Sequence, residues 1–255
     1  MTLSYDLSTV PAGASVLAEL HRLSSQKNEV SSVSKWFGVS PFTPETISWY
    51  KGYVGEVAVA ETLETLVEQG WLVFHSVPVG SKGSDIDHVL VSPKGNVFTV
   101  NTKHHAGKKI WVSEKQVRVN GQVVPYLRNS KHEATRVGKK TGTTVIPVIV
   151  FVDPESMDVK PGAEKNHVLI TTLKQLKTNL LEADTTHSGG YTPSADFTTP
   201  QFWAEKWVNP TVGHTDRVAW VENARKHHRT AQNMRILYGL TVVAAVLIVS
   251  YIIFL

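Results

Sequence analysis

A stripe of apolar residues at helical spacing is the first clear pattern along the chain. It runs through Tyr53, Val57, Ala60 and Val67, and Gly70 follows as a stop signal, so it predicts a helix. Three short β-prone segments come next, the last two separated by a Pro-Lys-Gly-Asn turn signal. These are residues 71–77, 85–92 and 97–103. The pattern therefore predicts a helix followed by three strands.

The remaining pattern extends this unit into an α/β domain. Further elements are predicted as a helix over 129–140, a strand over 145–152 and a helix over 173–181. The order is helix, three strands, helix, strand, helix, and we assign the domain to residues 49–182. Residues 1–48 are polar and helical by turns, which predicts a helical N-terminal extension.

The last segment of the chain is apolar throughout. Residues 236–255 are 20 positions without a charge, and at about 1.5 Å per helical residue they span a hydrocarbon core of roughly 30 Å. They predict a transmembrane helix in contact with the lipid bilayer. Residues 183–235, rich in Thr, Ser, Gly and Pro before becoming helical, predict a linker and juxtamembrane helix. The basic residues before the span are Arg225, Lys226, His227, His228, Arg229 and Arg235.

This charge asymmetry predicts a location. Positive charge on one flank of a span favours the cytoplasm for that flank. We therefore expect a single-pass protein of the cell membrane whose main domain is cytoplasmic.

Composition narrows the chemistry. The chain of 255 residues is 42% hydrophobic and has no cysteine, which excludes disulfides, thiolate nucleophiles and cysteine zinc sites. Between Asn101 and Lys140 lie ten Lys or Arg and two acids. This excess favours a nucleic-acid partner, and a solvated basic face is the alternative. The expected phosphate contacts are Lys108, Lys109, Arg128, Lys131, Arg136 and Lys139.

Polar residues at one end of the predicted hairpin are candidates for catalysis. Asp87 lies near a strand start among apolar neighbours, where an unpaired carboxylate is costly. Because side chains two apart share a strand face, the hairpin can bring Asp87 opposite Asn101 and Lys103. Glu56 lies at the inner edge of the preceding helix. Such a cluster can hold a hard divalent cation and a water; for Glu56, an ordinary surface role is the alternative.

Three segments of the chain resemble a known family. They are Gly55-Glu56, the run DIDHVLVSPKGNVFTVNTKHH at 85–105, and the basic helix LRNSKHEATRV at 127–137. Together they resemble the nuclease-related domain (NERD) family, which is assigned to the PD-(D/E)XK nuclease superfamily. The resemblance implies an α/β, restriction-endonuclease-like core in the order helix–three strands–helix–strand, to which the N-terminal helical segment and the C-terminal transmembrane helix are additions.

The resemblance also implies a set of site residues. Glu56 matches the helix glutamate of the family, Asp87 the metal-binding aspartate, and Lys103 the lysine of the E-x-K element. The implied catalytic residues are Glu56, Asp87, Asn101 and Lys103, and the implied metal ligands are Asp87, Glu56 and Asn101. The implied cofactor is Mg²⁺ or Mn²⁺, and the implied reaction is hydrolysis of a phosphodiester bond, with DNA as the expected substrate. Lys103 would stabilise charge on the phosphate or orient the water.

One position departs from the superfamily pattern. Asn101 stands where Glu or Asp is usual, and an amide oxygen binds hard cations without the negative charge that tightens binding. Asp85 could substitute as a ligand. Two functions therefore stay open: a membrane-anchored, metal-dependent nuclease, or a catalytically weakened nucleic-acid-binding module on the same fold. A structural membrane protein whose basic patch meets anionic lipid is a more remote alternative.

Overall fold

The computed structural model describes residues 6–26, 31, 33–79, 85–204 and 209–253. The chain forms two compact units. The first comprises Met1–Val16 and Lys51–Val212, and the second comprises Leu17–Tyr50 and Gly213–Leu255. In chain order the α-helices are α1 (Ala14–Ser25), α2 (Thr46–Glu64), α3 (Tyr126–Thr141), α4 (Leu176–Thr186), α5 (Pro200–Trp203) and α6 (His214–Ile253).

Two sheets organise the first unit. In chain order the strands are β1 (Leu72–Pro78), β2 (Asp85–Val91), β3 (Val97–His104), β4 (Lys109–Val112), β5 (Val117–Val119), β6 (Gln122–Val124), β7 (Val145–Val152), β8 (Ser156–Val159) and β9 (Leu169–Thr172). The main sheet has the spatial order β1-β2-β3-β7-β9, and the smaller one has the order β6-β5-β4-β8. In the main sheet β1, β2 and β3 are antiparallel, whereas β7 and β9 run parallel to β3.

Both faces of the main sheet are buried in the first unit. On β2, Val89 belongs to one apolar cluster and Leu90 to another, as the alternation of strand side chains requires. The cluster around Leu90 includes side chains from α2 and α4. The cluster around Val89 includes side chains from α3, from the N-terminal residues Leu7 and Val10, and from the segment before α5. Burial on both sides explains the near-continuous apolar character of β7.

The predicted α/β core is confirmed, including its order of helix, three strands, helix and strand. The small sheet was not predicted. Its strands have only three or four residues, too few for a strand period to emerge from the sequence. It occupies the chain between β3 and α3 and again after β7.

The segment interpreted as a linker is partly folded. Phe197 and Trp203 are fully buried in the first unit, and the Trp203 indole N–H donates to the Phe197 carbonyl at 2.8 Å. Thr, Ser, Gly and Pro lower the local hydrophobicity so far that isolated aromatic anchors do not produce a period. Trp207, a second candidate anchor, lies outside the described residues. The domain boundaries deduced from the sequence stay a prediction.

One long helix dominates the second unit. Among the described residues, α6 is the one helix long and apolar enough to cross a membrane, with a mean hydropathy of 1.9 in its apolar stretch. The apolar side chains from Ile236 to Tyr251 are largely exposed. The predicted helix is confirmed over 236–253, and Phe254 and Leu255 lie outside the described residues. Its length and composition make α6 a candidate membrane anchor.

Replacing Trp203 tests whether the segment before α6 belongs to the core. Trp203→Ala should lower the free energy of unfolding of the first unit by about 3–5 kcal/mol, because it empties a fully buried aromatic site. Urea titration in detergent, followed by circular dichroism, measures the loss. Val123→Ala, at a position 60% exposed on β6, should change stability by less than about 0.5 kcal/mol. Equal stability of both variants would contradict the packing of this segment.

Candidate functional site

Glu56 reaches the main sheet because α2 packs closely on β3. At the preceding residue, Gly55, an added Cβ would lie 3.0 Å from the Cβ of His104 and 3.4 Å from Cγ2 of Thr102. A side chain larger than hydrogen at this position would require the helix or the strand to shift by a few tenths of an ångström. The helix therefore carries Glu56 to the sheet surface, where its side chain is only 6% exposed.

Asp87 lies where the strand pairing is interrupted on both sides. The β1–β2 register passes from His75↔His88 to Val77↔Ile86, so Ser76 and Asp87 are left unpaired, and Ser76 has a φ of 47°. On the other side, the β2–β3 pairing ends at His88↔Val100. The Asp87 carboxylate accepts the Thr102 backbone N–H at 2.6 Å. An interruption of this kind changes the direction of a strand side chain, here that of Asp87.

A chain of hydrogen bonds runs through two buried histidines to Thr102, the residue that contacts Asp87. Glu64 pairs with His75 Nε2 at 2.8 Å, the Nδ1 atoms of His75 and His88 are 2.7 Å apart, and His88 Nε2 lies 3.3 Å from the Thr102 hydroxyl. Burial lowers the pKa of both histidines. Burial thus favours the uncharged form of each ring, and His88 contacts the Thr102 side chain, while the Thr102 N–H donates to Asp87.

Asn101 pairs with a helix residue that the sequence did not single out. Its amide group donates to both carboxylate oxygens of Glu133, on α3, at 2.8 and 2.7 Å. Asn101 is 7% exposed, and its carbonyl oxygen has no hydrogen-bond partner among the residues the structure describes. An oxygen that is buried and unpaired is costly unless a ligand occupies it. This oxygen is therefore a candidate ligand-binding atom at the site.

Lys103 projects from the same strand. Its ammonium group lies 5.3 Å from the ring centroid of Tyr126, the first residue of α3. The Tyr126 hydroxyl in turn lies 2.8 Å from Nε2 of His105. The aromatic ring therefore lies against the lysine ammonium and leaves its positive charge in place.

The start of α1 also joins the site. Burial raises the pKa of Glu56 well above its usual range, and the negative charges of Asp87 and Asp85 raise it further. The charge of Lys103 and a hydrogen bond from the Gly13 backbone oppose that rise. Burial likewise raises the pKa of Asp85, and a hydrogen bond with Ser15 opposes it. Nothing in the sequence of residues 1–48 signalled this contribution.

The pKa values of Asp87 and Glu133 also depend on burial and on neighbouring charges. Burial raises the pKa of Asp87 to about 6; Lys103 and the Thr102 N–H oppose the rise, whereas Asp85 and Glu133 add to it. Burial raises the pKa of Glu133 too, against the hydrogen bond from Asn101 and the charge of Lys103. Glu56 and Asp87 are affected by the charges of other acids, and Lys103 acts on Glu56, Asp87 and Glu133, so these groups form one cluster.

A cavity of about 380 Å³ opens beside this cluster. Its lining combines the acids Asp85 and Glu133 with basic and polar side chains of α3, which are Arg128, Asn129, His132 and Arg136, and with Val79. Of the predicted phosphate contacts, Arg128 and Arg136 therefore lie at the site. Lys131 and Lys139 are on α3 but do not line the cavity, and Lys108 and Lys109 lie at the small sheet, where Lys109 pairs with Glu155 at 3.4 Å.

The cluster has the chemistry of a hard-cation site. In the described part of the chain, no group of three or more His, Cys, Asp or Glu residues is arranged to hold a metal ion. Mg²⁺, however, usually retains several waters and uses one or two carboxylates. Asp87, Glu133 and the unpaired carbonyl oxygen of Asn101 are oxygen donors of this type. Burial raises the pKa of both acids, and a bound cation would favour their charged forms. The residues therefore fit a divalent cation.

Four site residues were predicted from the sequence, and in the structure they belong to one cluster. Glu56, Asp87 and Lys103 share one electrostatic cluster, and Asn101 adjoins it through Glu133. Their catalytic and metal-binding roles stay predictions. Glu133 and Tyr126 were missed as site residues. One signal was available for Glu133, since it is an isolated acid within an otherwise basic helix.

Together, the α/β core and the acid–lysine cluster at one end of its sheet define a nuclease-like module. Residues 51–152 match the family model of the nuclease-related domain, NERD, which confirms the resemblance seen in the sequence. The matched residues carry Glu56, Asp87, Asn101, Lys103 and Glu133. Comparisons with curated proteins and with solved structures return no significant match.

Two glycines of α2 test the close approach that delivers Glu56. Gly55→Ala should destabilise the first unit, because the clash with the backbone-fixed His104 Cβ costs about 1–3 kcal/mol and outweighs a helix-propensity gain of about 1 kcal/mol. Gly52→Ala is the matched control: its Cβ would meet only Val16 at 3.7 Å, so it should be neutral or stabilising. Urea titration compares them. Equal stabilisation by both substitutions would show that α2 does not need glycine at position 55.

Proposed function

We propose that this chain is a membrane-anchored, metal-dependent nuclease that hydrolyses DNA phosphodiester bonds at the cytoplasmic face of the membrane. The observation that carries the proposal is the buried acid cluster around Lys103, with the paired Asn101 and Glu133 at its edge. It lies within the part of the chain that matches the nuclease-related domain.

The metal ligands we assign are Asp87, Glu133 and the carbonyl oxygen of Asn101, with Glu56 close enough to share the charge. A bound Mg²⁺ or Mn²⁺ would polarise the phosphate and lower the pKa of the attacking water. In this assignment Glu133 supplies, from a helix, the negative charge that the superfamily usually places at the strand position of Asn101. The number of available carboxylates is thereby preserved.

The other residues of the site bind and orient the substrate. Lys103 is held beside Tyr126 with its charge directed among the acids, so it can stabilise the negative charge that grows on the phosphate. Arg128 and Arg136 line the adjacent cavity and would bind neighbouring phosphates of the nucleic-acid backbone. Contacts of this type recognise the charge of the phosphate backbone and do not read the base sequence.

The basic flank of α6 supports the cytoplasmic placement. Arg225, Lys226, Arg229 and Arg235 precede the apolar stretch, and the described part of that stretch carries no charge. Positive flanks are retained on the cytoplasmic side. The substrate would then be cytoplasmic DNA near the membrane.

One observation favours a second function, that of a catalytically weakened nucleic-acid-binding module. The Asn101 amide occupies both oxygens of Glu133, which compensates the carboxylate without a metal. A neutral residue at position 101 also lowers the affinity for a divalent cation. This protein would bind DNA through Arg128 and Arg136, with steep salt dependence and no cleavage.

Cleavage by the full-length protein in detergent decides between these functions. The nuclease should degrade DNA with Mg²⁺ or Mn²⁺ and not with EDTA. Asp87→Asn and Lys103→Ala should each lower the rate at least about 100-fold, since each removes a few kcal/mol of transition-state stabilisation. Glu133→Gln should lower the rate and weaken Mn²⁺ binding measured by calorimetry. Asn101→Glu should not increase the rate, because Glu133 already supplies that charge and its carboxylate lies against position 101.

Lys160→Ala is the matched lysine control, because Lys160 pairs with Asp158 at 2.6 Å and does not line the cavity. It should leave cleavage unchanged. Retention of DNA binding without cleavage under either metal, in wild type and in Asn101→Glu alike, would contradict the nuclease and establish the binding module. A preference for anionic vesicles over DNA would contradict both.

A further inference from the structure

Four exposed apolar side chains cluster within a short turn of the second unit. In the segment from Val33 to Val39, here called the aromatic turn, Trp36 is 53% and Phe37 is 73% exposed, and the two flanking valines are also exposed. Residues Ser34–Phe37 form a single 3-10 helix. An isolated exposed apolar residue needs no explanation, but a contiguous group marks an interaction surface.

The aromatic turn is fixed to α6 through its backbone. The Gly38 carbonyl accepts from Arg235 Nε, the Trp36 carbonyl accepts from the Tyr238 hydroxyl, and the Val39 carbonyl lies 3.1 Å from His227 Nε2. Gly38 has a φ of 74°, and an added Cβ there would lie 2.8 Å from Cγ of Arg235. The main chain of the turn is thus held on the helix while its aromatic rings project outward.

The attachment lies at one particular level of α6. Arg235 is the last charged residue of the helix, and the exposed apolar stretch begins at Ile236. Arg235 and Tyr238, which hold the turn, are on either side of this change. If α6 crosses a membrane, this is the level at which it passes from the headgroups into the hydrocarbon.

We propose that the aromatic turn is a second membrane contact, in which Trp36 and Phe37 insert into the interface of the bilayer that α6 crosses. Tryptophan suits this depth because it combines an apolar ring with an N–H donor. Lys35, whose ammonium lies 6.0 Å from the Trp36 ring centroid, and Arg235 place positive charge beside it for anionic headgroups. The surface therefore matches a lipid interface in both apolarity and charge.

A second membrane contact would restrict the rotation and tilt of the second unit. A single helix can rotate about its axis and tilt within the bilayer, and interfacial anchors limit both motions. With the turn inserted, one side of α6 faces the interface in a defined orientation. The proposal depends on the membrane span of α6 and is independent of nuclease activity, so loss of cleavage would leave it standing.

The absence of cysteine makes a site-specific test direct. We would place a nitroxide label on Phe37→Cys in the full-length protein, reconstituted singly in nanodiscs of phosphatidylcholine and phosphatidylglycerol. Electron paramagnetic resonance then compares collisions with oxygen, which enters lipid, and with a water-soluble nickel complex. Leu247→Cys, within the apolar stretch, is the lipid-exposed reference, and Val123→Cys, on β6 and 60% exposed, is the water-exposed reference.

The label at position 37 should collide several-fold less with the nickel complex than the label at position 123, and more with oxygen. Accessibility equal to that of position 123 would overturn the proposal. Protection seen only in vesicles with many copies, and not in single-copy nanodiscs, would assign the surface to a second copy of the chain and overturn it too.

Tryptophan fluorescence gives a second readout without a label. Lipids brominated on their acyl chains should quench wild type and Trp111→Phe to the same extent, and should quench Trp36→Phe less. Equal quenching of all three proteins would contradict insertion of Trp36.

Discussion

The burial of four carboxyl groups is the constraint on which the candidate site depends. Glu56, Asp85, Asp87 and Glu133 are largely removed from water, and burial is the main cause of the raised pKa of each. A protein that folds for stability alone would not gather such groups, because each unit of pKa shift corresponds to about 1.4 kcal/mol. The helix glycine positions Glu56, and the interrupted strand pairing and the buried histidine pair position Asp87. The cost of burying these acids is the best reason to regard the cluster as functional.

The pairing of Asn101 with Glu133 relates the departure from the superfamily pattern to the fold. Position 101 on the strand is neutral, and a carboxylate from α3 lies against it. Because β3 and α3 pack together, a carboxylate on the helix can lie next to a neutral residue on the strand, although the two are distant in sequence. The same helix contributes the arginines of the adjacent cavity. Acid and base are therefore presented from one surface, as binding and cleavage of a polyanion would require.

The second unit presents a separate physical problem, that of an apolar surface exposed to water. Both α6 and the turn at residues 33–39 expose large apolar side chains, and the change from charged to apolar residues occurs where the two are joined. Hydrophobic burial in a bilayer would resolve both exposures together. These exposed surfaces share no residue with the acid cluster, so mutations can change either one without touching the other.

Strand alternation, helical spacing and motif spacing are local properties, so the α/β core, the apolar helix and the candidate residues Glu56, Asp87, Asn101 and Lys103 could be predicted without a structure. The other features depend on contacts between distant parts of the chain. Glu133 reaches Asn101 across 32 positions of chain, and Gly13 and Ser15 reach Glu56 and Asp85 from a segment without any motif. The small sheet and the burial of Trp203 depend likewise on packing between distant segments. Such contacts leave no period in the sequence, since their energy comes from partners that only the folded chain brings together.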